Sequence, residues 1–75
     1  MENNEQVEVI IASDVNARDG IGVEIWLDDE LVINVFRDDT KKEREVSLYR
    51  HDVPLELVEK AIAIFKREIP WDFID

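Results

Sequence analysis

The chemistry this sequence could perform has few carriers. His51 is the only imidazole, and as a general base it would need a hydroxyl to activate. The hydroxyls are Ser13, Thr40, Ser47 and Tyr49, and none stands in a nucleophile-elbow pattern. Cysteine is absent, which removes thiolate nucleophiles, thiolate zinc sites and disulfides. No G-x-G-x-x-G, P-loop or zinc-ligand spacing is present, so no cofactor and no metal is implied. A structural position just ahead of a helix is the expected role of His51.

The carboxylates fall in groups. Asp14-Val15-Asn16-Ala17-Arg18-Asp19-Gly20 suggests a calcium loop until its positions are compared. An EF-hand starting at Asp14 needs an oxygen ligand at its fifth position, glycine at its sixth and glutamate at its twelfth, where this chain has Arg18, Asp19 and Ile25. An ordinary polar loop fits better. Asp28-Asp29-Glu30 and Asp38-Asp39 are acidic groups at turns and form a candidate acidic surface. Lys41, Lys42 and Arg44 are the densest basic segment, but Asp38, Asp39, Glu43 and Glu45 surround them, so a solvated hairpin is expected.

These residues must be positioned by a small scaffold. Seventy-five residues make one domain, and a chain of that size buries only roughly 60% of its unfolded surface. Stability must come from a well-patterned core, from oligomerisation, or from both. The boundaries read as an N-terminal tail over 1–5, strands within 6–49, a helix over 53–69 and an aromatic tail over 70–75. Val7, Val9 and Ile11 alternate with Glu8, Ile10 and Ala12 in a first strand, Gln6 to Ala12. Ile21, Val23, Ile25 and Leu27 alternate with Gly22, Glu24 and Trp26 in a second, Ile21 to Leu27. The third runs from Leu31 to Phe36 and the fourth from Arg44 to Tyr49. Short polar breaks require antiparallel hairpins, because parallel strands need long crossovers.

Leu55, Val58, Ile62, Phe65 and Ile69 fall at spacings of three and four, the stripe of an amphipathic helix. Asp52 is the expected N-cap, with Pro54 in the first turn. A sheet and a helix can each bury one face against the other. The predicted architecture is therefore a two-layer α+β domain: a four-stranded antiparallel meander, order 1-2-3-4, packed on one C-terminal helix. Its expected core holds Val7, Val9, Ile11, Val23, Ile25, Ile33, Val35, Val46, Leu48, Leu55, Val58, Ile62 and Phe65.

That picture leaves apolar residues over. Ile10, Trp26, Val32, Phe36 and Tyr49 would lie on the second sheet face, with Leu57 and Ile64 off the main helix stripe. Trp71 and Phe73 follow the helix. A contiguous exposed patch of this kind marks an interaction site. Trp26, Phe36, Tyr49, Trp71 and Phe73 are accordingly the candidate interaction surface. The tail could fold back over it, a second copy could cover it, or another protein could bind it.

Gly20-Ile21-Gly22-Val23-Glu24-Ile25-Trp26-Leu27-Asp28, with Val35-Phe36-Arg37-Asp38-Asp39 and Val53-Pro54-Leu55-Glu56, resembles short bacterial proteins of the strand-meander-plus-helix type. That group has no established activity, so the resemblance implies no active-site residues.

Nineteen acidic residues against nine basic give a net charge of −10. Such charge opposes binding to nucleic acid and to anionic membranes, and it permits a basic protein partner. No apolar run approaches the ~20 residues of a membrane span, and the acidic start, Met1-Glu2-Asn3-Asn4-Glu5, is the reverse of a secretory leader. A cytoplasmic, non-enzymatic protein-interaction module is expected, self-associating as a homodimer. The alternative is an acidic inhibitor, such as an immunity or antitoxin protein, of a basic nuclease-type partner.

Overall fold

The computed structural model describes residues 6–14 and 19–74. Within them run β1 (Val7–Asp14), β2 (Gly20–Leu27), β3 (Glu30–Asp38), β4 (Glu43–Leu48) and one helix, α1 (Leu55–Glu68). The strands form one antiparallel sheet in the order β1-β2-β3-β4, and α1 packs on one side of it. This is the predicted α+β architecture. β1 and β3 each run two residues past their expected ends, through Ser13-Asp14 and Arg37-Asp38. Ladder pairing to β2 continues there although the apolar alternation has stopped. The expected tail 1–5, Asp75 and residues 15–18 of the Asp14–Gly20 loop lie outside the described residues.

Asp28 and Asp29 form a two-residue loop between the paired Leu27 and Glu30. Both have positive φ, 48° and 68°. That is what a type I′ turn requires, and its twist matches the flanking strands. Gln6 N–H donates to Asp28 Oδ1 (3.0 Å) and Asp28 N–H to the Gln6 carbonyl (3.1 Å), which ties the start of β1 to the turn.

The register assigns the faces. Val9, Ile25, Ile33 and Leu48 form one cross-strand row, and Ile11, Val23, Val35 and Val46 the next. Both rows face α1. The register shifts by one residue after Ile25, so Ile25 opposes Ile33 while Trp26 opposes Leu31. Val32 is the extra residue of this β-bulge. The local kink turns it into the core, where it is fully buried. Its expected place on the second face is therefore corrected.

The core is narrower than expected. It holds Val23, Ile25, Leu27, Val32, Ile33, Val35, Ala61, Ile64, Phe65 and Ile69, with Ile21, Val53, Leu57 and Val58 packed beside it. α1 lies over β2 and β3 alone. A helix is only ~10 Å across and strands are ~4.8 Å apart, so one helix covers two strands. Val7, Val9, Ile11, Val46 and Leu48, expected in the core, are 41–52% exposed on the two uncovered edge strands.

The helix is also rotated from the expected stripe. Its apolar arc runs from Ile64 through Leu57, Ala61, Phe65 and Val58 to Ile62 and Leu55, roughly half the circumference at ~100° per residue. An arc so wide does not identify its own centre. The buried members lie toward its Ile64 side, with the small, fully buried Ala61 between Ile64 and Phe65, and Leu55 at the far margin is 66% exposed. The N-cap is Pro54, with no side-chain cap, and its carbonyl accepts from Leu57 and Val58 N–H. Asp52 instead holds a left-handed φ of 54°. Ile69 is extended and buried, and Pro70 follows it.

Candidate interaction surface

The five aromatic candidates do not share one surface. Phe36 is on the second face but is 2% exposed. Its ring lies across Gly22 and Gly20. A Cβ on Gly22 would come within 2.8 Å of the Phe36 ring and 2.5 Å of the Val35 carbonyl oxygen, and one on Gly20 would overlap the Arg37 carbonyl. The two glycines thus form a flat bed for the ring. Trp26 is on the same face, half-buried, with its indole N–H donating to Glu24 Oε1 at 3.0 Å. Asn34, buried between them, leaves its side-chain carbonyl without a partner. Glu8, Glu24, Glu45 and Ser47 share this face with Ile10, Ala12 and Leu31. Tyr49 follows the last residue of β4 and is exposed.

Trp71 and Phe73 lie on the other side of the sheet. Arg37 follows Val35 by two residues and pairs with Arg44 on β4, so both guanidinium groups point to the helix side. Arg37 donates from Nε and Nη2 to the two Asp39 oxygens (2.9 and 3.1 Å), and from Nη1 to the Pro70 carbonyl (2.7 Å). Ile74 N–H donates to Asp39 Oδ1 at 3.1 Å. Arg44 donates to the Trp71 carbonyl from Nη2 (2.7 Å) and Nε (3.2 Å), and its Cζ lies 3.8 Å from the Trp71 ring centre and 4.3 Å from that of Phe73. Lys42 Nζ reaches the Ile74 carbonyl. Trp71 also meets Phe65 of α1 edge to face. The tail therefore folds back, but across the β3–β4 end of the helix side rather than over the second face.

Burial alone would raise the Asp39 carboxyl. The Arg37 and Ile74 hydrogen bonds, with the charges of Arg37 and Lys42, outweigh it and hold the group below the usual carboxylate value. Sequence reading missed this clamp, because Lys41, Lys42 and Arg44 were expected to be solvated. The available signal was an aromatic tail with no assigned partner beside an arginine at a strand end.

The acidic candidates also divide. Asp28, Asp29 and Glu30 are exposed. Asp38 is 1% exposed, and its Oδ1 accepts from Thr40 and Lys41 N–H, closing the β3–β4 loop. Asp39 belongs to the clamp. The two groups sit at opposite ends of β3, roughly 26 Å apart at ~3.3 Å per residue. They do not form one acidic surface.

The exposed apolar area lies beside the helix. Val7, Val9 and Ile11 line one flank, on β1, and Val46 and Leu48 the other, on β4. Val7, Leu27, Leu57 and Pro54 border a groove of about 290 Å³ with Arg50, Glu56 and Lys60 at its rim. The groove places the Glu56–Lys60 flank of α1 toward β1, so Leu55 and Ile62 turn toward β4. His51 is exposed beside Leu48, Tyr49 and Arg50. Among the described residues no three His, Asp or Glu side chains cluster as metal ligands, and no helix is long and apolar enough to cross a membrane. Compared with known proteins, the chain matches no family model, no curated protein and no solved structure.

Proposed function

We propose that this chain is a non-enzymatic protein-interaction module, self-associating in a cytoplasmic setting, that binds through the apolar strips left on either side of its helix. The observation that carries this reading is the exposure of Val7, Val9, Ile11, Val46 and Leu48, 41–52% each, on the same sheet face as the core. Five branched aliphatic side chains aligned in cross-strand rows form patches of the kind that mark binding sites. The working surface thus moves from the aromatic second face to the helix side.

A second reading is capture of a basic protein, as an immunity or antitoxin protein captures a nuclease. Asp28, Asp29 and Glu30 favour it, standing exposed at a hairpin tip on a chain of net charge −10. Charge of this kind speeds encounter with an oppositely charged surface.

Light scattering over a concentration series tests the first reading. The intact chain is expected to associate, and the double variant Val9→Lys/Leu48→Lys to stay folded and monomeric. Association that survives in the double variant would place the working surface elsewhere.

A further inference from the structure

We infer that a second copy of this chain occupies the edge of β1 that no other described strand pairs, the two β1 strands running antiparallel with Val9 opposite its own counterpart. The inference rests on the self-association proposed above and names the surface and register that carry it.

Asp28 N–H donates to the Gln6 carbonyl, so the even-numbered residues of this edge are bonded to β2. In an antiparallel ladder the alternate residues direct their N–H and C=O away. Val7, Val9, Ile11 and Ser13 therefore present hydrogen-bonding groups to the open side, and the exposed side chains of the first three face α1. Natural edges are blunted with lysine, proline, bulges or shortness. β1 has eight residues, no lysine and no proline, and the bulge lies on the far side of β2.

Only odd-numbered residues can bond outward, so a symmetric pair must match odd with odd. Both helices then share one sheet face. Four central registers are available. Glu8 opposite its counterpart, or Glu8 opposite the copy's Asp14, sets like charges together, which destabilises a cross-strand pair. Of the remaining two, one places Val7 against Ser13. The other opposes Val7 to Ile11 and Val9 to Val9, joining both apolar strips under the gap between the helices, with Glu8 opposite Ile10 on the far face. That register leaves no apolar member of the strip facing a polar residue.

Sedimentation velocity on the intact chain, Val9→Lys and Val46→Lys, at low and high salt, tests the inference. Val9 is 41% exposed, so its variant is expected to keep the native far-ultraviolet spectrum. Val9→Lys should weaken the dimer about tenfold or more, and Val46→Lys should leave it unchanged. Because each copy carries −10, salt should tighten the dimer, whereas capture of a basic partner would weaken. Loss of the dimer in Val46→Lys, with Val9→Lys unaffected, overturns the β1 assignment and leaves the module reading standing. A chain that stays monomeric at every concentration overturns both. The chain contains no cysteine, so oxidised Val9→Cys should trap a covalent dimer faster than Ile10→Cys. The reverse order overturns the register.

Discussion

The β4 edge is short, charged and strapped, whereas the β1 edge is longer, apolar on its helix side and, among the described residues, unpaired. β4 has six residues, including Glu43, Arg44 and Glu45, and the tail holds it through Arg44 and Trp71. β1 has eight, with Glu8 and Asp14 as its only charges. Both edges expose valines on the helix side, but among the described residues the C-terminal tail holds β4 alone, while β1 is tied at its start through Gln6 and Asp28. The difference separates two duties. β2, β3, α1 and the tail carry the stability, and β1 is left with a surface that folding does not use.

The largest effects should therefore fall on the strapped side and the centre. Gly22→Ala would drive a Cβ to 2.5 Å from the Val35 carbonyl oxygen. Overpacking of this kind should cost upwards of ~3 kcal/mol in denaturant unfolding. A near-neutral result would mean that the β3 backbone at Val35 and Phe36 can move away from Gly22.

Arg37→Met comes next. It leaves Asp39 buried without its bidentate partner and frees the Pro70 carbonyl. The melting temperature should fall by several degrees and Trp71 should become more mobile by fluorescence anisotropy, while β1 self-association persists. Acid should mimic it. Asp39 is held below its unfolded value, so its contribution is full above about pH 3.9 and is lost as pH falls through the lower folded value. A tail that loosens as pH rises instead would contradict the clamp.

The smallest change is a gain. Asp29 has a φ of 68° in the two-residue turn, a conformation that costs a non-glycine residue about 1 kcal/mol. Asp29→Gly should raise stability by about that amount and leave both edges unchanged.

Strand order, helix and two layers were legible because alternation and three-four spacing report directly on backbone geometry. The site was less so. Val9 and Val23 look alike in sequence, and their difference arises from the width of one helix set against four strands. Val32 reads as a second-face residue until the bulge moves it. Arg37 and Asp39 look like a polar loop, because pairing of buried charges leaves no periodic trace. Phe36 looked like surplus because the neighbouring glycines that cover its ring contribute nothing to hydropathy.

Amide hydrogen exchange, compared between dilute and concentrated samples, tests the difference between the edges most directly. The account predicts that the Val7, Val9 and Ile11 amides slow on concentration while those of Arg44, Val46 and Leu48 do not. Slowing confined to the β4 amides, or no slowing at either edge, would contradict it.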